Sequence, residues 1–368
     1  MVKKIISIVG ARPQFIKLAP LCQELRKQKS RFRHVIVHTG QHYDYNMSKI
    51  FFDQLGIPDP QYHLDVGSGS HGQQTGTMLE KIENVLQKEK PDWVMVYGDT
   101  NSTLAGALAA TKLHMPLAHV EAGLRSYNRV MPEEINRVLT DHCSDVLFCP
   151  TRNAVNNLKK EGISNGRARK VVNVGDVMYD SLLLSLQVAK KQSRVLAELQ
   201  LTPKQYFLAT IHRAENTDND ENLTGILQAL TELSREAMLV LPIHPRTKKI
   251  LERSAKLKSL AHSLKIIPAV GYFDMLLLEK NAKLILTDSG GMQKEAYFLS
   301  TPCVTLRNET EWIETVQSGL NILGSIQPRR IIQSAKAILK KNIAIRRNRT
   351  LLGRGQTGQA IVSFLINH

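Results

Sequence analysis

Short apolar runs alternate with longer amphipathic segments along the whole chain. Runs such as 93–97 and 117–120 have the length and composition of buried strands. Between such runs, apolar residues recur at helical spacing, for example at Phe15, Leu18 and Leu25. Strands that alternate with helices predict an α/β fold with parallel sheets. A length of 368 residues with 42% apolar content indicates two domains.

The alternation of strands and helices restarts in the second half of the chain. The segment GDVMYD closes the first series of strands, and a new apolar run begins at Tyr206. We therefore expect an N-terminal domain of residues 1–173 and a C-terminal domain of residues 174–354.

Carboxylates follow two neighbouring strands of the first half and open a helix soon afterwards. Asp99 comes after the run 93–97, Glu121 comes after the run 117–120, and Glu133 follows a proline that suits a helix start. Each carboxylate, taken alone, could be a helix cap or a solvated surface group. Together they predict a reactive crevice, because the carboxyl ends of parallel strands face the ligand and several like charges need cations or a shared proton there.

The turn after the first strand has the features of an anion site. The sequence GARPQFIK leads directly from an apolar run into a helical pattern. A helix N-terminus attracts anions, and Arg12 and Lys17 add positive charge beside it. The pattern predicts a phosphate or diphosphate ligand, and the alternative is that both cations are surface residues.

A second candidate anion site follows the apolar run 284–287. Ser289, Gly290 and Gly291 begin the next helix. The Ser289 hydroxyl and the backbone N–H groups of this turn could bind an anion. Glu295, one turn further, could accept ribose hydroxyls. The alternative for Glu295 is a capping contact with Ser289.

Charge and cysteine usage limit the classes of function. The net charge is +16, but much of it lies at 329–354, where lysines alternate with apolar residues as on an amphipathic helix. No nucleic-acid-binding motif accompanies this charge, so we expect no nucleic-acid partner. The four cysteines are scattered without a CxxC pair, which favours reduced thiols in a cytoplasmic protein. No apolar stretch is long enough to span a membrane, so we expect no membrane insertion.

Seven motifs carry a family resemblance, and they span nearly the whole chain. They are, in order, GARPQFIK, GDTNSTLAG, HVEAGLRS, MPEEINR, ATIHRAEN, HPR and DSGGMQKEA. This set resembles the non-hydrolysing UDP-N-acetylglucosamine 2-epimerases. The resemblance implies two Rossmann-like domains facing across a cleft, as in glycosyltransferases of the GT-B type. It also implies a homodimer, a last helix at about 355–368 that packs back on the first domain, and a role in making surface polysaccharide precursors.

The same resemblance assigns roles to individual residues. Asp99, Glu121 and Glu133 match the acid/base carboxylates of the family, and His212 matches its active-site histidine. The positions that match its nucleotide- and diphosphate-binding residues are Arg12, Lys17, Arg137, Arg213, Ser289, Gly290, Gly291 and Glu295.

The implied reaction needs neither a cofactor nor a metal. UDP is eliminated across C1 and C2 of the sugar to give a 2-acetamidoglucal, and UDP is then added back with the C2 proton delivered to the other face. Histidines 34, 38 and 42 are close in sequence but lack a carboxylate partner, so we expect no metal site. The substitution of Gln73 for an expected arginine speaks against activation by a second UDP-sugar.

Two alternatives remain open. The segments ARPQFIK, YNRVMPEE and GGMQKEA look more like the branch that acts on UDP-2,3-diacetamido-2,3-dideoxy-glucuronate, whose carboxylate Arg125, Arg129 or His42 could bind. A retaining UDP-sugar glycosyltransferase would share the fold and the UDP site, but it would not need three carboxylates around C2.

Overall fold

A computed structural model describes residues 2–41, 52, 55–167, 169–243, 245–310, 312–340 and 351–368. The chain divides into two compact units, Met1–Leu184 with Arg349–His368 and Ser185–Asn348. The boundary between Leu184 and Ser185 falls inside the helix Val177–Gln192.

The first unit contains a parallel sheet. Among the described residues its strands are β1 (Lys3–Val9), β2 (Phe32–His38), β3 (Tyr62–His63), β4 (Trp93–Tyr97), β5 (Leu117–Val120), β6 (Val146–Cys149) and β7 (Lys170–Asn173). They lie in the order β3-β2-β1-β4-β5-β6-β7. The helices are α1 (Arg12–Lys27), α2 (His71–Glu89), α3 (Asn101–Lys112), α4 (Pro132–Cys143), α5 (Arg152–Lys160) and α6 (Val177–Gln192).

Helices cover both faces of this sheet because its central strands are apolar on both sides. Ile5 of β1 belongs to the core cluster formed with α1, whereas Ile6 belongs to the cluster formed with α2 and α3. This alternation is the period of two that a strand imposes on its side chains. The residues that follow the strands therefore lie at the carboxyl edge of a sheet that helices cover on both faces.

The small residues of α3 let this helix approach the sheet closely. A side-chain carbon at Gly106 would lie 2.9 Å from Cδ1 of Ile8 and 3.0 Å from Cγ1 of Val96. The small side chains of this helix therefore allow close packing on the sheet. The close approach places the N-terminus of α3 at the end of β4, next to Asp99.

The second unit repeats the architecture. Its described strands are β8 (Tyr206–Thr210), β9 (Met238–Ile243), β10 (Lys265–Pro268), β11 (Leu284–Thr287), β12 (Cys303–Thr305) and β13 (Asn321–Leu323), in the parallel order β10-β9-β8-β11-β12-β13. The helices are α7 (Val195–Glu198), α8 (Ala214–Thr217), α9 (Asp220–Leu233), α10 (Pro245–Arg253), α11 (Ala255–Leu260), α12 (Tyr272–Asn281), α13 (Gly290–Leu299), α14 (Ile313–Gln317) and α15 (Pro328–Lys340), with a 3₁₀ turn at Ala261–Ser263.

The last helix, α16 (Thr357–Asn367), belongs to the first unit. Ile361 and Leu365 are fully buried in the core cluster around α1. Gly358 brings the two helices together, because a side-chain carbon there would lie 3.2 Å from the carbonyl oxygen of Pro20. Burial of each aliphatic side chain stabilises the unit by about 1.5–3 kcal/mol.

Both strand orders are those of Rossmann-like folds, so the prediction of an α/β fold with two Rossmann-like domains is confirmed. The strand order reverses between β1 and β4 in the first unit and between β8 and β11 in the second. Ligands of such sheets bind at this reversal, outside the carboxyl ends of the strands.

All four cysteines are free thiols. Within the part of the chain that the structure describes, no helix has the length and apolar character that crossing a membrane requires.

One histidine in the first sheet is predicted to limit stability in acid. Burial lowers the pKa of His34 to about 4, from 6.5, and its ring bonds to the hydroxyl of Ser7 at 2.8 Å. The unfolded chain takes up this proton at a higher pH than the folded chain does, so the contribution of His34 to stability is lost as the pH falls from 6.5 towards 4. Thermal melts should show the advantage of the wild type over His34→Gln shrinking across this range; a difference independent of pH would contradict this.

Candidate active site

The first element of the site is a buried ion pair at the open end of the first sheet. Lys17, in the second turn of α1, pairs its ammonium with the Glu121 carboxylate, which follows β5. The two side chains are only 9% and 8% exposed. Two neighbouring elements therefore present one cation and one anion at the same point, where an anionic ligand and a proton-transfer group are both expected.

The backbone of Glu121 is strained. Its φ angle is +73°, in the left-handed region that residues with a side chain rarely adopt. Such a conformation costs roughly 1–2 kcal/mol and persists only where surrounding contacts hold it. Here the amides of Glu121 and Ala122 both donate to the carbonyl of Phe148, each at 3.1 Å. The contacts aim the carboxylate at Lys17 at the expense of local stability.

The turn after β4 wraps around this ion pair. Gly98 has a φ of +63°, and a side-chain carbon there would lie 2.7 Å from Nζ of Lys17 and 3.3 Å from Oε2 of Glu121. Asp99 is the next residue, and its carboxylate pairs with the guanidinium of Arg137 on α4. The structure thus brings Asp99, Glu121, Lys17 and Arg137 to one region, as the sequence predicts.

The neighbouring carboxylates Glu133 and Glu134 have different environments. Glu134 is buried and accepts the Ser126 amide at 2.9 Å, the Ser126 hydroxyl at 2.9 Å and the Tyr127 amide at 2.8 Å. Burial would raise the pKa of Glu134, but these donors outweigh it and lower the pKa below its usual value. Glu134 therefore holds the loop before α4, whereas Glu133 is exposed on the first turn of that helix.

Arg125 is not available to a substrate. Its guanidinium donates to Glu161 at 2.7 and 2.6 Å and to Asp141 at 2.7 Å, and its side chain is 1% exposed. Burial would lower the pKa of Arg125, but the two carboxylates raise it. The expectation that Arg125 could bind a uronate carboxylate is wrong, because internal anions already occupy its donors. Of the other two cations considered, Arg129 is exposed and His42 lies outside the described residues.

The second unit places His212 at the end of β8, beside the end of β11. Nδ1 of His212 lies 3.2 Å from Oδ1 of Asp288, which is fully buried. Asp288 also accepts the Arg213 amide at 3.1 Å and the Asn216 side chain at 3.0 Å. Burial would raise the pKa of Asp288, but His212 and the other donors lower it. Asp288 is thus an ionised anchor that orients His212.

The N-terminus of α13 supplies the second anion site. Ser289 caps this helix by accepting the Met292 amide at 3.4 Å, and Gly290 and Gly291 form its first turn. A cavity of about 250 Å³ opens beside it and includes His212, Ser289 and Glu295 in its wall. The cavity contains both the polar groups that the sequence assigns to nucleotide binding and the apolar side chains of Val270 and Met275.

Glu279 is a further residue of this cavity, and sequence reasoning missed it. It is fully buried in α12 and faces Glu295. Burial and the neighbouring carboxyl group raise the pKa of Glu279 well above its usual value. Burial therefore disfavours the charged form of Glu279, and only its position in an otherwise apolar helix, LLLEK, signals it in the sequence.

The remaining predicted residues lie at helix starts. Arg12 is the exposed first residue of α1, and Arg213 is the half-buried residue that precedes α8. Among the residues that the structure describes, no group of three His, Cys, Asp or Glu side chains has the arrangement of a metal site.

Comparisons with known proteins agree on one family. Residues 23–366 match the family model described as UDP-N-acetylglucosamine 2-epimerase. The chain is 56% identical to a UDP-N-acetylglucosamine 2-epimerase homolog of Methanococcus maripaludis, over 99% of each chain. It is 52% identical to the UDP-2,3-diacetamido-2,3-dideoxy-D-glucuronate 2-epimerase of Pseudomonas aeruginosa, over 98% of this chain and 99% of the relative. The Methanocaldococcus jannaschii UDP-GlcNAc 2-epimerase, in complex with UDP-GlcNAc and UDP, superposes with a TM-score of 0.82 at 48% identity, over 99% and 100% of the two chains.

The space at Gly98 gives a direct test of the Lys17–Glu121 arrangement. We expect Gly98→Ala to lower turnover by about a hundredfold, because the added carbon displaces the Lys17 ammonium by a large part of an ångström. Gly162→Ala is a matched control, since Gly162 has a similar φ of +78° but open space around it. Steady-state kinetics and thermal melts of both variants measure the effect. Equal turnover in the two variants would show that the packing around the ion pair is not needed.

Proposed function

Because the chain belongs to the UDP-N-acetylglucosamine 2-epimerase family of isomerases, we propose that it inverts C2 of a UDP-2-acetamido sugar without hydrolysis. The observation that carries the proposal is the pair of strand-end carboxylates, Asp99 and Glu121, each held by a cation. A candidate anion site lies in the second unit, at the start of α13.

The substrate itself dictates an elimination. Its C2 bears an acetamido group, so oxidation to a ketone is not available as it would be at a carbinol. The C2 proton becomes acidic only when positive charge develops at C1, and stabilisation of the departing UDP is therefore the larger demand. Cations and helix N-termini supply it, since preorganised donors act most strongly where charge develops. Arg12, Lys17, Arg213 and the Ser289–Gly291 turn are the groups of this kind.

The two paired carboxylates provide the proton transfers at C2. Arg137 pairs with Asp99 and Lys17 pairs with Glu121, so each carboxylate is held in place by a cation. An ammonium has three donors, so Lys17 can bind a phosphate oxygen while it still contacts Glu121. One carboxylate removes the proton from one face of C2, and another carboxylate delivers its own proton to the opposite face, which inverts C2. Glu133 and His212 act with them in the proposed mechanism.

Two substrates define the test. We propose UDP-N-acetylglucosamine as the substrate and UDP-N-acetylmannosamine as the product, with the 2,3-diacetamido uronate as the alternative that the Pseudomonas aeruginosa relative supports. Each UDP-sugar is incubated separately with the purified chain, and the products are resolved by anion-exchange chromatography and NMR. Conversion of one substrate to its manno epimer, still attached to UDP, supports the proposal. Release of free N-acetylmannosamine with UDP would contradict it.

Substitution of Glu121 tests the role of this carboxylate. We expect Glu121→Gln to lower turnover by a hundredfold or more, since loss of an acid/base group typically costs on the order of 10²–10⁴ in rate. Glu80→Gln, at an exposed carboxylate of α2, is the control for loss of one negative charge. Initial rates at saturating substrate measure the effect, and turnover of Glu121→Gln near that of the control would remove Glu121 from the mechanism.

We also propose a homodimer, which an exposed apolar face of the first unit supports. Val130 and Met131, before α4, are 91% and 37% exposed, and Ile135 and Leu139 of that helix are 45% and 44% exposed. Met131, Ile135 and Leu139 are spaced four residues apart, so they share one side of the helix. An apolar face of this kind is typical of a protein contact.

A charge placed on this face should separate the proposed dimer. We expect Leu139→Glu to shift the solution mass from two copies towards one, because a buried carboxylate without a partner disfavours the contact. Met238→Glu, at an apolar residue 48% exposed in the second unit, is the control. Analytical ultracentrifugation at several concentrations measures both. A single-copy mass for the wild type, or no change in Leu139→Glu, would contradict this interface.

A cytoplasmic location is part of the proposal, and the four free thiols support it. We expect no nucleic-acid partner. Fractionation of the native source should recover the protein with the cytoplasmic contents, and recovery with membranes or secreted material would contradict it.

A further inference from the structure

A polar cluster lies beneath the two strand ends of the first unit, and the proposed mechanism does not use it. His119 in β5 and Asp141 in α4 are both fully buried. Neither side chain can therefore touch a substrate. Burial of an ionisable pair is unfavourable unless its hydrogen bonds are made, so the contacts of the pair indicate what it does.

The hydrogen bonds of His119 require protons on both ring nitrogens. Nε2 lies 2.7 Å from the carbonyl oxygen of Gly98, which can only accept, so Nε2 donates. Nδ1 lies 2.7 Å from Oδ1 of Asp141. The other oxygen of Asp141 accepts the Gly123 amide at 3.1 Å and the Arg125 guanidinium at 2.7 Å, which favours an ionised carboxylate. Nδ1 therefore donates as well, and the ring is an imidazolium.

The charges of this cluster balance. His119 and Arg125 are the cations, and Asp141 and Glu161, the second carboxylate on Arg125, are the anions. A buried network with its charges paired and its donors used can persist in an interior, whereas removal of one member leaves an unpaired charge.

The cluster contacts both turns that carry the strand-end carboxylates. His119 binds the carbonyl of Gly98, the residue before Asp99. Asp141 binds the amide of Gly123, two residues after Glu121, while His119 itself precedes Glu121 by two. One side-chain pair therefore fixes the backbone on both sides of Glu121 and directly before Asp99.

We propose that His119 and Asp141 are a positioning pair that sets the separation and orientation of Asp99 and Glu121. This inference rests on the proposed function, in which those two carboxylates exchange protons with C2. The pair also explains how Glu121 keeps its left-handed backbone, because the hydrogen bonds on either side prevent the turn from relaxing. The role of His119 is to position these carboxylates and not to transfer a proton, since its ring is shielded from the substrate.

Two substitutions of His119 separate its two contacts. The amide nitrogen of Asn occupies the place of Nδ1, so His119→Asn keeps the bond to Asp141 and loses the bond to Gly98. The amide nitrogen of Gln occupies the place of Nε2, so His119→Gln does the reverse. We expect both to lower kcat by about tenfold or more, with KM changed less than about threefold, because the proposed diphosphate-binding groups are untouched.

His34→Gln is the matched control, since His34 is a histidine of β2 in the same sheet and bonds to the Ser7 hydroxyl, not to the backbone of either turn. It should lose thermal stability and keep kcat per folded molecule. A His119 variant with kcat per folded molecule equal to that of His34→Gln would overturn the proposal, because the pair would then serve stability alone.

Two further readouts do not depend on activity. Nitrogen-15 NMR of the wild type at neutral pH should show N–H groups at both ring positions of His119, and a neutral ring would overturn the proposal. Amide hydrogen exchange should accelerate at Asp99 in His119→Asn and at Gly123 in His119→Gln, and unchanged exchange at these amides would overturn it too. An inactive wild type would refute the proposed function and not the positioning pair, which these two readouts still test.

Discussion

The buried contact between Lys17 and Glu121 is the interaction on which the rest of the site depends. Removal of two charges from water is expensive, and a well-packed apolar pair is often as stable, so stability alone does not account for the contact. The proposed function does account for it, because that function needs a cation for the leaving group and a carboxylate for the proton at the same point. The left-handed backbone of Glu121 and the side-chain-free turn at Gly98 follow from bringing the two groups together.

The two units reach similar sites by the same topology. In each, polar residues follow the two strands between which the strand order reverses, and a helix starts directly after the turn. The first unit places Asp99 after β4, and the second paired carboxylate, Glu121, follows the adjacent strand β5. The second places a histidine on a buried carboxylate, His212 on Asp288, next to a capped helix N-terminus. In the proposed function, the assignment of sugar chemistry to the first unit and nucleotide binding to the second thus rests on different side chains in one architecture.

The sequence predicts the parts of the site that follow strand ends, because apolar runs and turn residues mark those positions. Asp99 and Glu121 are found in this way, and so is the helix start at Ser289. The sequence does not predict the role of a residue that depends on contacts with residues distant along the chain. Arg125 looks like a free cation until Glu161 and Asp141 are seen beside it. His119 looks like a strand residue, and its two bonds depend on how β4, β5 and α4 pack together.

The most direct test of the central claim is the fate of the hydrogen at C2. The purified enzyme is incubated with UDP-N-acetylglucosamine in deuterated buffer, and proton NMR follows both epimers. The account predicts that the manno epimer carries deuterium at C2 and remains attached to UDP. One carboxylate removes the C2 proton, and the carboxylate that delivers the new hydrogen to C2 has exchanged its own proton with the deuterated solvent. A manno epimer that retains its original C2 hydrogen would contradict the account, since neither Asp99 nor Glu121 would then have acted as a base at that carbon.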